Sequence, residues 1–95
     1  MQNVHCSIDN ISQLNPYTHQ IEMTPSATIT FKAGQYLLMS LSNGKKTPFS
    51  IASPPSKNSI VIQVASSGIE SNQPDALTHC LENQQIQVQA GLGDA

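Results

Sequence analysis

Thr47-Pro48-Phe49-Ser50-Ile51-Ala52-Ser53-Pro54-Pro55 is the stretch whose reading decides the fold. Successive side chains of a β-strand point to opposite faces, so Phe49 and Ile51 share one face while Ser50 and Ala52 share the other. The first face is apolar and suits a core. The second is small and hydroxylated, which leaves room for a flat ligand with the Ser50 hydroxyl and nearby backbone groups as hydrogen-bond partners. Taken alone, Ser50 reads better as a strand hydroxyl satisfied by a neighbouring carbonyl than as a ligand contact. Pro48 has no N–H to give a ladder, so the strand begins there or runs along an edge. Pro54 and Pro55 end it.

Upstream of this strand, Asn43-Gly44 is a hairpin signal that joins it to a third strand from Gln35 to Ser42, with Lys45 and Lys46 leading in. Earlier still, Val4, Cys6 and Ile8 alternate before Ile11 and Leu14 break the period. That pattern predicts a long strand over Val4 to Leu14 with a bulge or bend near Asn10. Asn15-Pro16 is a turn, and Thr18 to Thr24 forms a second strand with Ile21 and Met23 inward. Ile29 and Phe31 anchor the connection that follows.

Downstream, Ser59 to Ser66 sets Ile60, Ile62 and Val64 against Val61, Gln63 and Ala65. From Pro74 the period becomes helical, with Ala76, Leu77, Cys80 and Leu81 on one face, and Asn83 is a stop signal. Ile86 and Val88 alternate in a sixth strand over Gln85 to Gln89, and Gly91-Leu92-Gly93 ends the domain. Six short strands and one late helix predict an all-β, closed or nearly closed antiparallel barrel.

Composition narrows the function classes. Ninety-five residues make one domain, and 38% hydrophobic with 11% charged residues excludes a disordered segment. The net charge is −2 and all four basic residues are lysines, so no basic stripe exists to follow nucleic acid. The longest uninterrupted apolar run, Tyr36 to Met39, is too short to cross a bilayer, and no leader pattern opens the chain; no membrane contact and a cytosolic location are expected. Cys6 and Cys80 are expected to be buried free thiols. His5, His19 and His79 lack metal-ligand spacing, and no metal is expected. There is no phosphate-binding loop, nucleophile elbow or dinucleotide fingerprint.

Pro48-Phe49-Ser50-Ile51-Ala52-Ser53 resembles the flavin-contacting motif of the NAD(P)H-flavin reductases in the ferredoxin-NADP reductase superfamily, usually Arg-Pro-Phe-Ser or Arg-x-Tyr-Ser followed by a second Ser or Asn. Phe31-Lys32-Ala33-Gly34-Gln35-Tyr36-Leu37 resembles the FxAGQY segment of that family, and Gly91-Leu92-Gly93-Asp94-Ala95 its barrel exit. Three motifs in order and at the family's spacing span nearly the whole chain. The resemblance implies a six-stranded antiparallel Greek-key barrel over residues 1–95, with one short capping helix between strands five and six. It also implies an NAD(P)H-binding domain, C-terminal in the parent chain and absent from this one.

The same resemblance implies roles for single residues. Ser50 would be the catalytic hydroxyl near the N5 edge of the isoalloxazine, with Pro48 and Phe49 holding the ring through backbone contacts and shape. Val64, Ala65 and Ser66 would line its opposite side. Thr47 stands where the family usually places an Arg that reaches ribityl or phosphate oxygens, and this sequence has no Arg. Riboflavin, FMN or FAD would therefore be loosely bound, with Lys45 or Lys46 as substitute cations or merely a solvated hairpin rim. Gly68-Ile69-Glu70-Ser71 superficially matches a Gly-x-x-Ser pyrophosphate motif, but Pro74 removes a helix N-terminal donor and a loop is the better reading. The expected activity is hydride transfer from NAD(P)H to flavin in the parent, with this chain alone inactive. The alternatives are an FAD-prosthetic domain feeding electrons to a ferredoxin or oxygenase, and a non-catalytic barrel acting as a binding or interaction module.

Overall fold

The computed structural model describes residues 2–32, 34–42, 44–53, 59–65 and 73–92. In chain order the elements are β1 (Gln2–Asn15), β2 (Thr18–Pro25), β3 (Tyr36–Ser40), β4 (Lys46–Ser50), β5 (Ile60–Ala65), α1 (Gln73–Glu82) and β6 (Gln85–Leu92). The strands are ordered β4-β3-β6-β1-β2-β5 and every pairing is antiparallel. The hairpins β1–β2 and β3–β4 are local. β6 returns to lie between them, which makes the arrangement a Greek key, and α1 spans the connection from β5 to β6.

Local chemistry accounts for the elements. β1 changes register between Ile8 and Asn10, so Asp9 is the extra residue of a bulge. That bulge is what breaks the alternation after Ile8. The Tyr17 amide donates to the Asn15 side-chain carbonyl at 2.9 Å, an Asx turn that sends the chain into β2. Between β3 and β4 the Gly44 amide donates to the Leu41 carbonyl at 3.0 Å and the Leu41 amide to the Lys45 carbonyl at 2.8 Å. Gly44 has a φ of 84°, the left-handed residue of a three-residue connection with a bulge.

Inward residues of all six strands form one core, with Ile21, Met23, Leu37, Met39, Ile60, Ile62, Val64 and Val88 fully buried. α1 covers one flank of it through Ala76, Leu77 and Cys80, and the Cys80 thiol meets the Met39 sulfur at 3.7 Å. Leu81, expected on that buried face, is instead 65% exposed. It sits one position round the helix from Cys80, at the margin of a stripe too narrow to cover it. The helix begins at Gln73, one residue before Pro74, which is tolerated in a first turn whose N–H groups have no intrahelical partner.

β6 also runs further than its alternation suggests. Tyr36 pairs with Leu92 and Leu38 with Gln89, so β6 carries an extra residue there, and Gly91 takes a φ of 77°. A glycine that looks like a strand breaker in sequence is the bulge that prolongs the strand. β4 and β5 end the hydrogen-bonded order, and among the described residues no ladder joins them; one backbone bond, from the Ala52 amide to the Val61 carbonyl at 2.7 Å, draws their edges together. No helix among the described residues is long and apolar enough to cross a membrane.

Candidate functional site

The register of β3 on β4 builds the site. Leu37 lies opposite Phe49 and Met39 opposite Thr47, and all four are buried on the inner face. Tyr36 lies opposite Ser50 and Leu38 opposite Pro48, and these four side chains face outward. Leu38 and Pro48 form an apolar floor, with the Tyr36 ring and the Ser50 hydroxyl beside them. Pro48 can sit in mid-strand because β4 is an edge strand whose free side needs no N–H.

Above this patch opens a cleft of about 760 Å³, a volume suited to a small-molecule ligand. Besides the four outward residues and Phe49, it is lined by Ala52 just past β4 and by Gln63 on β5. Ala52 and Gln63 stand on opposite sides of the seam between the two end strands. An apolar floor with a hydroxyl on one side and a primary amide on the other can take a flat, largely apolar molecule with polar edges. Among the described residues no cation lines it, although Lys46 is exposed on the same face of β4, two residues before Pro48.

Of the residues singled out by sequence, Pro48, Phe49 and Ser50 come together at this cleft. Thr47 does not join them. Alternation turns it to the inner face, where it is 3% exposed and its hydroxyl has no hydrogen-bond partner. Val64 is fully buried opposite His19, and Ala65 ends β5 opposite Thr18, so neither lines the cleft. Ser66 and the Gly68-Ile69-Glu70-Ser71 segment lie outside the described residues. On the β5 side the cleft is lined by Gln63, whose outward orientation was readable from the alternation of β5. Tyr36, Leu38 and Ala52 were also missed as lining residues. Carrying the Phe49–Ser50 alternation across the hairpin would have found the first two.

Among the described residues no group of three or more His, Cys, Asp or Glu side chains is placed to hold a metal. Both cysteines are free and buried. Burial, with a smaller contribution from the nearby Asp9 charge, pushes the Cys6 thiol up to about 12, and burial pushes Cys80 up to about 11. Both are therefore protonated and poorly nucleophilic at neutral pH.

No family model matches the chain. It is 33% identical to an NAD(P)H-flavin reductase of Vibrio harveyi, over 97% of this chain and 41% of that protein. It is 26% identical to a probable flavin reductase of Photobacterium leiognathi, over 96% of this chain and 40% of that protein. The chain thus spans about two fifths of these curated relatives. Among solved structures it superposes on phthalate dioxygenase reductase, a modular structure for electron transfer from pyridine nucleotides to a 2Fe-2S centre, with a TM-score of 0.80 at 15% identity, over 97% of this chain and 30% of that one.

Proposed function

We propose that this chain, a flavin-binding barrel of the NAD(P)H-flavin reductase family in the ferredoxin-NADP reductase superfamily, seats an isoalloxazine ring in the cleft over β3 and β4. The parent protein would pass hydride from NAD(P)H to that flavin, with the nicotinamide positioned by a C-terminal domain beyond this chain. A cytosolic setting goes with NAD(P)H as the electron source.

The observation that carries this reading is the β3–β4 register, which lays Leu38 and Pro48 side by side beneath the cleft with Ser50 next to them. Leu38 and Pro48 would receive the face of the ring and exclude water from it. The Ser50 hydroxyl, donor and acceptor at once, would meet the polar edge of the ring, and the Gln63 amide offers both roles from the other wall. When bound, the flavin supplies the ring that accepts hydride.

The cleft fits the ring better than it fits a phosphate. No cation lines it among the described residues, so the ring should dominate binding, and riboflavin and FMN should bind about equally and weakly. Fluorescence titration of both flavins measures this. Ser50→Ala should weaken both alike, by roughly ten-fold, the value of one oriented hydrogen bond of about 1.4 kcal/mol. FMN binding more than about ten-fold tighter than riboflavin would require a charged partner that this reading does not contain.

A further inference from the structure

The second serine of the Pro48–Ser53 motif takes no part in the site described above, yet it is tied into the seam beside it. β4 and β5 are the two ends of the hydrogen-bonded order. Just past β4 the Ala52 amide donates to the Val61 carbonyl. Ser53 continues the pairing with its side chain, where a further ladder rung would otherwise be needed. Its hydroxyl accepts from the Val61 amide at 3.1 Å and donates to the Ser59 carbonyl at 2.9 Å. With Ser53 only 8% exposed, removing the hydroxyl leaves the Val61 amide on β5 and the Ser59 carbonyl just before it without their partner.

The seam runs through the cleft. Ala52, adjacent to Ser53, lines one wall, and Gln63, two residues after Val61, lines the other. We propose that Ser53 is a positioning residue that holds these walls at fixed spacing by stitching the end of β4 to the start of β5. The proposal rests on the cleft being the flavin seat. Ser53 itself is buried beneath the surface and acts on the ligand only through Ala52 and Gln63.

The test compares this chain with Ser53→Ala, Ser53→Thr and, as a control in the core of β6, Ile86→Val. Riboflavin affinity is read by fluorescence, and exchange of the Ala52 amide by NMR without flavin. Ser53→Ala should weaken riboflavin by about ten-fold and speed Ala52 exchange by about ten-fold, the loss of one net hydrogen bond. Ser53→Thr, which keeps the hydroxyl, should restore both. Ile86→Val should lower the melting temperature and leave affinity unchanged. If Ser53→Ala fails to fold, Ser53→Cys keeps the shape with only a weak donor and carries the same expectation. Unchanged Ala52 exchange on loss of the hydroxyl overturns the role of Ser53, and so does an equal loss of affinity in the Ile86→Val control. An unsubstituted chain that binds no riboflavin overturns the proposed flavin site instead, a result separable from the first because exchange is read without flavin.

Discussion

Thr47 carries a hydroxyl into the interior of the barrel, opposite Met39, with no hydrogen-bond partner. In the motif it resembles, this position usually holds an Arg, which invites the inference that its side chain faces the ligand. One step of strand alternation separates it from that face. Burying a hydroxyl without a partner costs about 1–3 kcal/mol, whereas an isosteric methyl costs nothing of this kind. Thr47→Val should therefore stabilise the chain by about 1 kcal/mol, raising the melting temperature by about 4–8 °C for a domain of this size. Riboflavin affinity should not change. Thermal melts and titrations on the same samples check both halves, and a fall in affinity would place the Thr47 hydroxyl on the ligand after all. Ser50 presents the opposite case, since its outward orientation followed directly from Phe49 and Ile51 on either side of it.

At the scale of elements, α1 and β1 each bury one thiol, Cys80 against Met39 of β3 and Cys6 within the core. A single helix can lift away at less cost than the whole barrel can open. Alkylation at pH 8 should accordingly label Cys80 before Cys6, and both far more slowly than in denaturant. Mass spectrometry of timed samples measures the order, and equal rates would mean that α1 does not open on its own. The pH dependence has a defined sign. Each thiol is held protonated in the folded chain above its ordinary value of 9.0, so its contribution to stability is complete below that pH. It is lost as pH rises through about 11 for Cys80 and about 12 for Cys6. The elements themselves were largely legible, because alternation over Ser59 to Ser66 and the helical period after Pro74 are local signals. The extension of β6 through Gly91 was not, because only the pairing of Leu92 with Tyr36 shows that the glycine makes a bulge rather than an end. The exposure of Leu81 was hidden for a similar reason, since the width of the stripe that α1 buries is set by the strands beneath it.

In the whole molecule the candidate site belongs to the outside of the barrel rather than to its filled interior, and this placement explains which parts of it could be read in advance. Face assignment needs only the two-residue period of each strand, which gave Ser50, while Pro48 and Phe49 came from the resemblance of the motif around it. Neighbourhood needs pairings between strands far apart in sequence, so Gln63, brought beside Ala52 across the closing seam, was not found. The core and the cleft are thus two sides of the same β3–β4 ladder, one filled by Leu37, Met39 and Phe49 and the other left open. The claim that this open face is a flavin seat is tested most directly by titrating riboflavin into isotopically labelled chain and following the backbone amides by NMR. The predicted result is saturable shifts centred on Tyr36, Leu38, Ser50, Ala52 and Gln63, with Thr18, His19 and the residues of α1 unmoved. Shifts centred on α1 or on Thr18 and His19 with their β5 partners Ala65 and Val64, or no saturable shift at all, would contradict it.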